Sequence, residues 1–277
     1  MEARKNYVEG KVVIITGASN GFGALTAERL AQRGAKVVMA ARSEEKLKAL
    51  AERLKSAGGE VSYIVTDVTK EEQVNAMVKF AVDTYGRVDV LVNNAGTMPL
   101  GFFADHEKAL PAWKNCIELS ILGTLYGICA VYDQMMAQGQ GQVINISSIY
   151  GNFPLAGAGV YQVAKVGVEY LAESLRSEAQ GKIKVGVIKP TGFQRTGLIG
   201  TTVNAMAGAS IISDMMGVMD QTQNMASRPD FHDIDSMTYC DPDPQILADN
   251  IVYAIDQPWG VSVSNITVRA TGDLYAI

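Results

Sequence analysis

From Lys11 to Ile188 the chain repeats one unit: a short run of β-branched residues, a turn, and a helix-length segment with a polar stripe. The runs are Val12–Ile15, Val37–Met39, Val61–Val65, Val88–Val92, Val143–Ile146 and Val185–Ile188. They are mostly apolar and do not alternate regularly, which suits parallel strands covered on both faces. Between them lie helical segments such as Ser43 to Ala57 and Thr69 to Tyr85, with Ser43 and Thr69 as N-caps and acids in the first turn. Serial β-α units with right-handed crossovers predict an α/β fold: a Rossmann-type, doubly wound parallel sheet of about seven strands. The last strand is Ser264–Arg269, after a helix from about Pro244 to Asp256.

No linker or internal repeat divides the 277 residues, so 1–277 reads as a single domain. One connection breaks the rhythm. The segment at about 196–243 is long for a loop, and loops of that length in compact domains commonly act as lids or binding loops.

The net charge of -5, without any run of Lys or Arg, argues against a nucleic-acid partner. Three separated cysteines, Cys116, Cys129 and Cys240, fit neither a disulfide framework nor a zinc site and read as reduced, buried thiols. With two histidines and no paired ligand motif, no metal is expected. The charged Met1–Gly10 stretch is no signal peptide, and Ile117–Met136, which contains Glu118, Ser120 and Asp133, reads as a buried helix and not a membrane span. A cytoplasmic location without membrane contact follows as the expectation.

Directly after the first strand stands Thr16-Gly17-Ala18-Ser19-Asn20-Gly21-Phe22-Gly23, opening a helix. Glycines there let backbone N–H groups approach a pyrophosphate, and the helix N-terminus adds partial positive charge. Further on come Asn93-Asn94-Ala95-Gly96 after the fourth strand, Ser148, and Tyr161-Gln162-Val163-Ala164-Lys165. These four ordered motifs resemble the short-chain dehydrogenase/reductase family over essentially all of Lys11 to Arg269. The resemblance implies one dinucleotide-binding and catalytic domain, with segment 196–243 binding substrate. It implies cofactor contacts from Gly17, Ser19, Asn20, Gly21, Phe22, Gly23, Asp67, Val68, Asn94, Ala95 and Gly96, with Asp67 on the adenine amino group or, alternatively, a helix-capping acid. Pro190, Thr191, Gly192 and Thr196 stand where the family closes a Pro-Gly segment over the nicotinamide, though Thr191 here separates Pro190 from Gly192.

A free ribose hydroxyl calls for an acid at the end of the second strand; a 2′-phosphate calls for a cation. Here Ala41 holds the acid position and Arg42 follows it, which favours NADP over NAD. Asn20 occupies the turn position where NADP-binding members often carry a second base.

Tyr161 and Lys165, four residues apart on a helix, project from one face. An ammonium about 4 Å from a phenol, at an effective dielectric near ~20, would stabilise the phenolate by up to ~4 kcal/mol. On that reasoning Lys165 should lower the Tyr161 pKa by roughly three units and make it a proton relay. The resemblance gives Lys165 a second task, holding the nicotinamide ribose, and gives Ser148 the substrate oxygen, with Ser147 as the alternative. At the family's fourth catalytic position, usually Asn, this chain has Ser120. Its hydroxyl can hold a relay water; Glu118 or Asn115 would be the compensating alternatives.

Met98, Phe102, Tyr150, Phe153 and Phe193 lean toward a bulky apolar carbonyl or alcohol such as a steroid or terpenoid. In the long segment, Ile211, Met215 and Met219, with Ile212 and Met216 beside them, suggest an apolar helix face, either a lid or a packing surface. The final strand resembles members acting on small 3-hydroxy acids, for which Arg195 would be the cation. Gly123 and Gly127 permit close helix approach, and the resemblance implies a homodimer or homotetramer; tight packing within the chain is the alternative. A non-catalytic nucleotide-binding regulator is the contrasting reading, with Ser120 as its sign.

Overall fold

The computed structural model describes residues 5–193 and 196–275. Seven parallel strands form one sheet in the order β3-β2-β1-β4-β5-β6-β7: β1 (Val12–Thr16), β2 (Lys36–Ala41), β3 (Glu60–Val65), β4 (Val90–Asn93), β5 (Gly141–Ile146), β6 (Ile183–Pro190) and β7 (Asn265–Val268). Strands β1, β4 and β5 are buried throughout, as their unbroken apolar runs require. Helices α1 (Gly21–Gln32), α2 (Glu44–Ser56) and α3 (Glu71–Tyr85) connect the first half. In the second half run α4 (His106–Ile117), α5 (Gly123–Gln138), α6 (Gly159–Glu178), α7 (Met215–Asn224) and α8 (Pro244–Ile255). Two apolar clusters form, one packing α1, α2 and α8 on the sheet, the other α3, α5 and α6. The chain order reverses between β1 and β4, so a crevice opens at their carboxyl ends.

Several local expectations need correction. Ser43 stands at the N-cap of α2 but makes no side-chain capping bond. Thr69 is not a cap. Helix α3 begins behind Lys70, while Thr69 donates from N and Oγ1 to Asp67 Oδ1 at 3.0 and 2.8 Å. A carboxylate two residues back competes successfully for those donors.

The long helix after Trp113 is not uniform either. Helices α4 and α5 are joined by a π turn over Glu118–Leu122, and Ser120 lies in it. Together, Phe103–Gln138 is long and apolar enough by composition to cross a membrane, contrary to the sequence expectation. Its apolar face is nonetheless spent inside the chain, through Trp113, Cys116, Leu119, Ile128, Val131 and Met135. Gly123 and Gly127 face inward too. A Cβ on Gly127 would lie 2.6 Å from Asn93 Oδ1, and one on Gly123 would lie 2.9 Å from Val68 Cγ2. Both glycines therefore let the helix pack closely within its own chain, Gly127 on β4 and Gly123 on the turn after β3, the alternative left open above.

The methionine face also dissolves. Ile211 ends a 3-10 segment and is buried, Ile212 is extended, and Asp214 Oδ1 accepts from Gly217 N at 2.9 Å to start α7 afresh. Met215, Met216 and Met219 are consequently exposed. Cys116 and Cys240 are buried free thiols as expected, but Cys129 is exposed.

Candidate active site

The crevice is a groove of about 390 Å³, floored by the glycine turn between β1 and α1. Gly17 and Gly21 take positive φ, +66° and +52°, which side-chain-bearing residues rarely adopt. Gly23 has no room for more than hydrogen: a Cβ would meet Asn94 Nδ2 and the Gly17 carbonyl, each at 2.6 Å. Asn94 braces this turn, donating from Nδ2 to the carbonyls of Thr16 and Gly17 at 2.9 and 3.3 Å. Gly17, Ser19, Asn20, Gly21 and Phe22 line the groove from this side; Asn94, Ala95 and Gly96 line it from the end of β4. Gly23 lies beneath, in the packing of the turn, and Phe193 supports Phe22 edge-on with ring centroids 5.3 Å apart. Phe193 thus belongs under the turn and not among the substrate-side aromatics.

At the far end of the groove, β2 closes with Ala41, and Arg42, Ser43 and Lys46 follow on the wall. Lys46, in the first turn of α2, is a second cation that the sequence reading missed. Its signal was a base close behind Arg42 at the start of a helix. Asp67 and Val68 line the opposite side. The Asp67 carboxyl is held below its ordinary range despite partial burial, by the bonds from Thr69 and by the charges of Arg42 and Lys70.

Beyond the other end, at the tip of β5, the remaining predicted residues converge. Ser147 and Ser148 diverge in role. Ser147 Oγ donates to Glu169 Oε1 at 2.6 Å, and Glu169 pairs with Lys189 at 2.7 Å. Ser148 caps the turn that follows, accepting from Tyr150 N at 3.3 Å, and lies near enough to the Tyr161 phenol to favour its ionised form. Tyr161 and Lys165 project from α6, each almost fully buried. The Lys165 ammonium donates to the Ile146 carbonyl at 2.8 Å and lies 5.7 Å from the Tyr161 ring centroid. It also borders the groove: a Cβ on Gly96 would be 3.6 Å from Lys165 Nζ and 4.0 Å from Ser120 Oγ.

The electrostatics differ from the sequence argument. Burial pushes the Tyr161 phenol up from its ordinary value, and among its neighbours only Ser148 pulls it down. Burial lowers Lys165 to about 8. The ammonium sits beside the ring and faces a carbonyl, so in this state desolvation outweighs the attraction that the bare four-residue spacing suggested.

Ser120 Oγ and Thr97 Oγ1 are buried without a hydrogen-bond partner among the described residues. Cys116, one turn before Ser120, senses the Lys165 charge and its thiol is raised by burial; Glu118 instead faces solvent. On the remaining side, Thr196 lines the groove, but Pro190, Thr191 and Gly192 do not. Thr191 Oγ1 donates to Asp273 Oδ2 at 3.3 Å. Met98, Phe102, Tyr150 and Tyr161 share one apolar cluster, which Phe153 does not join. Arg195 lies outside the described residues.

A family profile described as short chain dehydrogenase matches residues 11–207. An uncharacterized oxidoreductase of Staphylococcus saprophyticus is 33% identical over 264 residues, covering 95% of this chain and 97% of that protein. Among solved structures, a metagenomic short-chain oxidoreductase in complex with NADP shares 27% identity and a TM-score of 0.72, covering 96% of this chain and 99% of its own. A short-chain dehydrogenase/reductase of Burkholderia phymatum in complex with NAD shares 25% identity and a TM-score of 0.75, covering 95% and 90%.

Proposed function

This chain belongs to the short-chain dehydrogenase/reductase family of oxidoreductases, and on that premise we propose that it interconverts a carbonyl and a secondary alcohol with NADP(H). The observation that carries the reading is the meeting of Ser148, Tyr161 and Lys165 beside a glycine-cradled groove. The groove suits a dinucleotide: Gly17 and Gly21 line it with bare backbone, α1 presents its N-terminus, and buried hydroxyls at Thr97 and Ser120 have no partner among the described residues. Arg42 and Lys46 on the wall, with no acid at Ala41, favour a 2′-phosphate and so NADP over NAD. When bound, the dinucleotide gives or takes the hydride.

The chain's own residues handle the proton. Ser148 orients the substrate oxygen and stabilises charge developing on it. Tyr161, protonated in this environment, donates its phenol proton to that oxygen, which fits carbonyl reduction. Lys165 stabilises the phenolate left behind, and Ser120 holds a hydroxyl within the same buried space to help return a proton. The wall of Met98, Phe102 and Tyr150 supports a bulky apolar substrate of the steroid or terpenoid kind, and segment 196–243 closes over it. A cytoplasmic homodimer or homotetramer is the proposed setting, in keeping with the free thiols.

The test is NADPH consumption with steroid ketones, terpenoid ketones and, in reverse, small hydroxy acids. Reduction of the ketones supports the reading. Turnover of hydroxy acids alone moves the substrate class, and NADPH binding without turnover of any compound would favour a regulator.

A further inference from the structure

The tail after β7 does not leave the molecule. It runs between the end of β6 and the long segment that precedes α8. Gly272 N donates to the Tyr239 carbonyl at 2.8 Å, and Gln221 Nε2 donates to the Gly272 carbonyl at 2.8 Å. Asp273 accepts from Thr191 Oγ1, and the Leu274 carbonyl accepts from both Ser213 N and Ser213 Oγ at 2.8 Å. Tyr275 then forms an antiparallel bridge with Ile212. A tail pinned at each of four successive residues is a structural element and not a trailing end.

What it delivers is a phenol. The Tyr275 ring and hydroxyl occupy the space where a side chain on Gly192 would stand, so the bare Cα at position 192 is what admits them. The ring packs in the apolar cluster that contains Tyr150 and Tyr161. Tyr150 and Tyr161 meet edge-to-face with centroids 5.6 Å apart, and Tyr275 is close enough to Tyr150 to raise its phenol further. Neither the Tyr150 nor the Tyr275 hydroxyl has a hydrogen-bond partner among the described residues. Neither oxygen is among the fully buried unpartnered atoms of the described residues, so both reach open space. Two unpartnered donors, beside the residue that addresses the reacting oxygen, are arranged to meet a ligand oxygen.

We propose that Tyr275, brought in by the C-terminal tail, pairs with Tyr150 to hold a second oxygen of the substrate, which is therefore a ketone bearing a neighbouring hydroxyl or carbonyl group. This rests on the hydride-transfer reading, whose Tyr161 and Ser148 take the first oxygen. The single ring-to-ring step from Tyr161 to Tyr150 sets the second oxygen close to the reacting carbon, while Met98 and Phe102 receive the apolar remainder.

The probes are phenacyl alcohol and acetophenone, which differ only in that second oxygen. Calorimetric titration into the enzyme loaded with NADP in its oxidised form measures binding without turnover. Phenacyl alcohol should bind about fivefold or more tightly than acetophenone, the scale of one net hydrogen bond. Tyr275→Phe should bring that ratio close to one while the acetophenone and NADP affinities hold; Tyr150→Phe should act in the same direction. Equal or undetectable binding of both ketones by the wild type, or an unchanged ratio in Tyr275→Phe, overturns the proposal. Turnover with NADPH is read separately. Preferential binding of phenacyl alcohol without reduction of either ketone would sink the hydride-transfer reading alone.

Discussion

The Lys165 ammonium reaches back to the Ile146 carbonyl, at 2.8 Å, and so lies beside the Tyr161 ring instead of at its hydroxyl. Two consequences follow. The phenol, raised by burial, stays protonated, and the amine is held at the lip of the groove.

Removing the cations tests the phosphate end. Arg42→Ala and Lys46→Ala should each weaken NADP binding by about tenfold or more, the scale of a charge-assisted hydrogen bond, and leave NAD binding within about twofold. Fluorescence titration with both dinucleotides reads this; equal losses for the two would refute the assignment.

The two adjacent serines offer an internal control. Ser148→Ala should cut kcat by about a hundredfold, as loss of an oxyanion donor does. Ser147→Ala removes the bonds to Glu169 and to the Lys165 carbonyl, and should cost about 1 kcal/mol of stability with kcat nearly retained. Steady-state rates beside denaturant melts separate the pair, and reversed effects would exchange their roles.

Ser120 carries a buried hydroxyl without a partner among the described residues, and burying such a group costs stability. Ser120→Ala should therefore leave stability unchanged or raise it by about 1 kcal/mol, while kcat falls several-fold. A loss of stability with full activity would mean that the hydroxyl is structural.

The depressed Lys165 also has a thermodynamic signature. Its folded pKa of about 8 lies below the unfolded value near ~10.4, so between these the unfolded chain binds more protons. Stability from this group is present above the unfolded value and is lost as pH falls toward 8. Compared with Lys165→Met, the wild type should gain up to about 3 kcal/mol on going from pH ~7 to ~10.5. A pH-independent difference in unfolding free energy would contradict the burial argument.

Much of this was legible in the residues. Strands β1, β2, β4, β5 and β6 announced themselves because both of their faces are covered, which favours apolar runs without alternation, whereas the edge strand β3 is only half-buried. The glycine turn was legible for a different reason: Gly17, Gly21 and Gly23 are each required by backbone angle or contact. What escaped depended on three-dimensional competition. Thr69 lost its cap role to a nearby carboxylate, and Asp214 cut the methionine stripe in two. The π turn at Ser120 has no local sequence signal, and Gly127 reads alike whether it faces a partner or its own Asn93. Tyr275 was invisible because nothing near it in sequence tells that the chain returns to Gly192.

The most direct measurement is single-turnover reduction by Tyr161→Phe with NADPH. If Tyr161 supplies the proton, the chemical step should slow by at least about a hundredfold while the NADPH dissociation constant stays within about twofold. A variant that reduces ketone at close to the wild-type rate would contradict the account.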